Sequence, residues 1–128
     1  MNLDAIEMTD AEIQSRIVAE QNDRFRKTLG TDLTVPGQIV VTPGVRHLSA
    51  GAQAQIMRAV QTFDTFTEDN DPYGDHTFGA FEIAAAGEAV KLFWKIDLYD
   101  TDYTYGSETP EDTAATRRVL TIMQRSEW

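Results

Sequence analysis

The chain is expected to fold as a single α+β domain, an antiparallel sheet of about four strands with two helices packed on one face. Three observations lead there. Two segments in the first half carry apolar residues at helical spacing, Ile13, Ile17, Phe25 and Leu29, then Ile56, Val60 and Phe63. The second half holds alternating β-rich runs, of which Leu92, Trp94, Ile96 and Leu98 form the clearest. The order that results, helix, strand, helix, then a hairpin and a last strand, reads as α+β with the helices on one face of an antiparallel sheet. With 128 residues and 41% hydrophobic composition the chain has enough apolar surface for one real core. Residues 1–8 are expected to form a flexible N-terminal tail.

Thr9-Asp10-Ala11-Glu12 reads as a capping box, so the first helix is placed from Asp10 to Leu29, with Gly30 as its C-cap. Arg24, Arg26 and Lys27 lie in its last turns, where cations suit the helix dipole. Gln38–Thr42 is a short β-branched strand after the Val35-Pro36-Gly37 break, and Val45–Leu48 follows Pro43-Gly44 as a second short extended piece. Ser49 caps a second helix placed from Ala50 to Thr67. Phe78–Ala86 and Ala89–Tyr99 form a hairpin about Gly87-Glu88. On the second of these strands Phe93, Lys95, Asp97 and Tyr99 point away from the Leu92 face. A polar loop runs from Asp100 to Asp112. Arg117–Met123 fits either period, and its β-branched residues favour strand.

Charge is the most informative global property. Acids number 21 and bases 11, a net −10 with neutral histidines. From Thr62 to Asp112 there are 13 acids against Lys91 and Lys95, so this block carries −11 and the remainder +1. Such a field repels nucleic acid and membrane surfaces and attracts basic protein surfaces, or it serves solubility alone. Without cysteine, disulfides and thiol chemistry are excluded. The acidic N-terminus does not resemble a signal peptide, and no apolar run reaches membrane-spanning length, so a soluble cytoplasmic protein is expected.

The segment Asn70-Asp71-Pro72-Tyr73-Gly74-Asp75-His76-Thr77-Phe78-Gly79 concentrates the chemistry. Placed on a calcium loop, Asp69 and Asp71 fit, but Tyr73 and Ala80 occupy positions that need oxygen ligands, so that motif is rejected. With two histidines and no cysteine, a zinc site is poorly supplied, and no metal or cofactor is expected. Acid–base catalysis would centre on His76, oriented by Asp75 or Asp97 and supported by Tyr73 and Lys95. No nucleophile elbow, phosphate loop or dinucleotide fingerprint occurs. A structural reading explains most of the loop without a substrate. Pro72 fixes φ, Gly74 and Gly79 accept positive φ, Asn70 and Asp71 close Asx-turns, and His76 tethers the loop to an acid.

Asn70–His76 with Phe78-Gly79, Phe93-Trp94-Lys95-Ile96-Asp97 with Tyr99-Asp100, and Arg118–Met123 together resemble a small bacterial family of domains of unknown function. Gln21–Arg26 and Thr42–Val45 extend the likeness towards the N-terminus. The resemblance implies no reaction. It implies a setting on mobile elements beside antirestriction-type genes. Combined with the charge, it leads to the expectation of an acidic, non-enzymatic interaction protein. The partner would be the basic surface of a host defence nuclease or CRISPR effector complex, blocked against nucleic acid. The expected contacts are Asp69, Asp71, Tyr73, Asp75, Asp100, Asp102, Tyr103, Tyr105, Glu108, Glu111 and Asp112. The alternative is a small hydrolase or metal-assisted enzyme built on His76, Asp75 and Asp97.

Overall fold

The computed structural model describes residues 8–128. Helix α1 (Asp10–Lys27) leads to strand β1 (Gly37–Val41), a single helical turn α2 (Pro43–Arg46) and helix α3 (Ala50–Thr62). Strands β2 (Phe78–Ala85), β3 (Glu88–Tyr99) and β4 (Arg117–Gln124) follow, closed by a 3-10 turn at Arg125–Glu127. The expected tail falls almost wholly on residues 1–7, outside the described residues.

The four strands form one sheet in the order β1-β4-β3-β2. The β2–β3 and β3–β4 pairs are antiparallel, as expected, but β1 runs parallel to β4, with Gly37 opposite Arg118 and Val41 opposite Ile122. The sheet is therefore mixed. Side-chain periodicity reports which face a residue takes, not the direction of its neighbour, so the sequence carries no signal for this pair. The chain reaches the far edge of the sheet by crossing one face through α2 and α3, and such a crossover permits a parallel pair.

That face holds the core. Leu92, Trp94 and Ile96 of β3 and Leu120 and Ile122 of β4 pack with Phe25 of α1, Val45 of α2, and Ala52, Ile56 and Val60 of α3. The β3 alternation is as read from sequence. Arg117–Gln124 is strand.

Three elements differ in detail. Val45–Leu48 is not extended: Pro43 sits at the first position of a helical turn, where its fixed φ is already helical, and Val45 is fully buried. Helix α3 stops at Thr62, not Thr67. Phe63 turns extended, at φ −60° and ψ 129°, and the edge contacts of Phe63 and Phe66 with Trp94 replace a further turn of β-branched, weakly helical residues. The buried face of α1 is Val18, Ala19, Asn22, Phe25 and Arg26, whereas Ile13 and Ile17 remain 43% and 39% exposed. Two polar residues, Asn22 and Arg26, thus belong to the buried face, and the two isoleucines do not.

Candidate functional site

The Asn70–Gly79 segment folds back over α1. Thr67 and Asn70 brace its entrance, with the Thr67 amide donating to Asn70 Oδ1 at 2.8 Å. Gly74 takes φ +67°, and His76 takes +56°, a left-handed conformation that is uncommon outside glycine. The Asp71 carboxylate holds this bend by accepting from the His76 amide at 3.0 Å. At the exit, a Cβ on Gly79 would overlap the Trp94 indole and the Phe63 ring, so the strand needs glycine there.

The His76 ring lies flat on Phe66, with centroids 3.7 Å apart and planes 2° from parallel. Its Nδ1 is 2.9 and 3.0 Å from the two oxygens of Asp23 on α1, and its Nε2 is 3.5 Å from Asp71 Oδ2. Asp23 also accepts from Arg26 Nη2 at 3.0 Å. Arg26 is buried, donates to the Val60 carbonyl, and places its guanidinium 5.1 Å from the Trp94 ring centroid. Burial lowers the Arg26 pKa, and the hydrogen bond to Asp23 opposes that shift. The result is a chain of polar side chains, Asp71, His76, Asp23, Arg26, running from the loop into the core. A groove of about 390 Å³ opens above it, bordered by Glu12, Arg16, Glu20, Tyr73 and His76.

The sequence-expected partners of His76 are not the ones it has. Asp75 turns its carboxylate to the Thr77 hydroxyl at 3.3 Å, while its carbonyl accepts from Asn22 Nδ2 at 2.8 Å. Burial raises the Asp75 pKa, and the neighbouring Asp71 charge adds to the rise. Asp97 pairs with Lys95 at 2.8 Å on the opposite face of the sheet from Trp94 and His76. The grouping of His76 with Asp75, Asp97 and Lys95 is thus split by the sheet itself. Tyr73 stands at the groove rim, 79% exposed. Among the described residues no three acidic or histidine groups are arranged to hold a metal ion.

The second acidic loop, Asp100–Thr116, also docks on α1. Glu111 accepts from Gln14 Nε2 at 2.7 Å, and its carbonyl accepts from Gln21 Nε2 at 2.8 Å. Asp100 receives the amides of Asp102 and Thr104, and Asp112 that of Ala114. These acids build the loop. The carboxylates of Asp69, Asp102 and Glu108 are exposed and accept no hydrogen bond within the described residues, and Tyr105 is 74% exposed. Tyr103 is half-buried with φ +58°.

Arg118 joins the two loop anchors. Fully buried, it donates through Nε to Asn22 Oδ1 at 2.7 Å and through Nη2 to Gln21 Oε1 at 2.8 Å. Among the described residues it has no carboxylate partner and Nη1 is unpaired, and burial lowers its pKa to about 10. Gln21, Asn22, Asp23, Arg26 and Arg118 were not among the expected site residues. One signal was present: Arg118 shares the inward parity of Leu120 and Ile122 on β4.

The model of a family described as a protein of unknown function, DUF3768, matches residues 41–127. The chain belongs to that family. The DUF3768 match covers the sheet from the end of β1 and both acidic loops, and it leaves α1 outside. The half of the His76 network contributed by Asn22, Asp23 and Arg26 therefore lies beyond the matched region. Comparison with curated proteins and with solved structures yields no match. No helix among the described residues is long and apolar enough to cross a membrane.

Proposed function

We propose that the protein is an acidic, non-enzymatic interaction protein that occupies a basic, nucleic-acid-binding protein surface, with a host defence nuclease or CRISPR effector complex as the partner class. One observation carries the reading. β2 begins, β3 ends and β4 begins at the same end of the sheet, so the loops before β2 and after β3 emerge side by side. Asp64–Thr77 contributes Asp64, Glu68, Asp69, Asp71 and Asp75, and Asp100–Thr116 contributes Asp100, Asp102, Glu108, Glu111 and Asp112. Neither loop contains a lysine or arginine. Of the cations near them, Arg26 and Arg118 are buried, Arg117 is half-buried against the Thr113 and Ala114 carbonyls, and Arg16 borders the groove, so the carboxylates of the two loops outnumber them. Carboxylates gathered at one end, with Tyr73 and Tyr105 exposed among them, suit a partner evolved to grip phosphates and to accept aromatic anchors.

The test uses acids that do not hold the fold. A Glu68→Lys, Asp69→Lys, Asp102→Lys, Glu108→Lys variant and the unaltered chain are each used to capture partners from host lysate at low and high salt. The unaltered chain is expected to retain a basic nucleic-acid-binding complex at low salt and release it at high salt, since exposed charge pairs are screened. The variant should retain none. Equal capture by both overturns the proposal.

The enzyme reading keeps one observation in its favour: His76 is held in a strained conformation under an open groove, and strain of this kind concentrates at working sites. Asp23, not Asp75 or Asp97, would then orient the ring. A hydrolase substrate panel decides it. Turnover lost in His76→Gln and kept in the four-lysine variant supports an enzyme, and no turnover by the unaltered chain removes it.

A further inference from the structure

The two edges of the sheet are built differently. β1 is a five-residue edge with Pro36 just before it and Pro43 just after, a length and flanking that discourage further pairing. β2 is eight residues long, pairs with β3 in unbroken register from Phe78 to Ala85, and contains no proline, lysine or bulge. The direction of its free backbone groups follows from the ladder. The two-residue turn Ala86-Gly87, with φ +52° and +80°, makes Ala85 and Glu88 a hydrogen-bonded pair, and Ile96 donates to the Thr77 carbonyl at 2.8 Å. Odd-numbered residues of β2 thus face β3. The N–H and C=O groups of Phe78, Ala80, Glu82 and Ala84 face outward, and among the described residues none of them meets a partner.

We propose that this edge pairs with β2 of a second copy of the chain, antiparallel about Phe81, joining two sheets into one. The orientation follows from charge. The start of β2 lies at the acidic end of the sheet, and at its other end Lys91 and Arg125 stand among the exposed Glu82 and Glu88, so charge there is balanced, and neither cation has a carboxylate within 4.0 Å among the described residues. These two cations border a groove of about 480 Å³ beside Phe81, Phe93 and Glu82. Antiparallel pairing sets the acidic end of each copy beside the charge-balanced end of the other, where Lys91 and Arg125 stand. Parallel pairing would stack the two acidic ends.

The register follows from the outward groups. A twofold axis at Phe81 places Ala80 opposite Glu82 of the second copy and Phe78 opposite its Ala84, so every outward group from Phe78 to Ala84 is used. An axis at Glu82 would oppose two like charges directly. This inference does not depend on the partner proposed above.

The absence of cysteine gives a clean test. Ala80→Cys and Glu82→Cys are prepared in the full chain, and each is oxidised mildly alone and then mixed with the other. Residues opposed in a hydrogen-bonded pair lie about 5.5 Å apart at Cα, within disulfide reach. The mixture should yield a disulfide-linked heterodimer, and neither variant alone should link to itself. In sedimentation equilibrium the unaltered chain should have twice the chain mass, and Ala84→Pro, which blocks an outward N–H only, should return it to the single mass with an unchanged far-UV spectrum. If Ala84→Pro does not fold, the cysteine pair still decides. A single-chain mass at every concentration, or a dimer whose mixed cysteines do not link, overturns the proposal.

Discussion

Asp75 carries a charge that the fold disfavours. Its pKa is raised, chiefly by burial and then by Asp71, so the folded state holds the proton more tightly than the unfolded chain does. Stability from this group is therefore present below the ordinary carboxylate range and is lost as pH rises through the raised pKa. Asp75→Asn should melt higher than the unaltered chain at pH 7, and the gap should close in acid. Thermal melts at the two pH values measure this, and a gap of the same size in acid would contradict it. The backbone carbonyl that accepts from Asn22 is kept in this variant. Glu127 shows the opposite sign. The Thr42 hydroxyl and the Gln124 and Gly44 amides lower its pKa, so what it contributes is present at neutral pH and lost on acidification.

Between elements, Gly79 of β2 fits closely under Trp94 of β3 and Phe63 at the end of α3. Gly79→Ala should cost about 1–3 kcal/mol through overpacking, read as a lowered denaturation midpoint at unchanged slope. In a Trp94→Phe background the same change should cost less, because the indole edge is gone; equal costs in both backgrounds would show the two positions to be uncoupled. This contact also marks what could be read from sequence. Strict alternation on β3 exposes which residues face the core, because each strand residue reports its own face, and Leu92, Trp94 and Ile96 are buried as read. Asp23 is different. It meets His76 across 53 positions of sequence, and no local pattern links a helix carboxylate to a later loop. The core face of α1 was misread for a related reason. Asn22 and Arg26 count as polar in any periodicity, yet they are buried because Arg118, Asp75, Asp23 and Val60 supply their hydrogen bonds. The loop acids were visible as acids, but their division into loop-formers such as Asp100 and free carboxylates such as Asp102 depends on which amides point at them.

Over the whole molecule, charge is arranged along the strands, with the acidic loops at one end. Like charges held together by a fold repel, and salt screens that repulsion over about 10 Å at 0.1 M. The melting temperature should therefore rise between very low and moderate salt. The four-lysine variant should show a weaker rise, and an equal rise in both would place the repulsion elsewhere. The parallel pair of β1 and β4 has a consequence in time. Among the described residues β1 is an edge strand with β4 as its neighbour, and the Glu127 side chain beyond β4 reaches back to Thr42 and Gly44. On a ribosome, β1 emerges before α3, β2 and β3 and has its sheet partner only once β4 has followed. Pairings so distant in sequence form slowly because the intervening segment must first be closed into a loop. During synthesis β1 therefore stays unpaired while β2 and β3 are made, and the sheet is completed only when β4 follows.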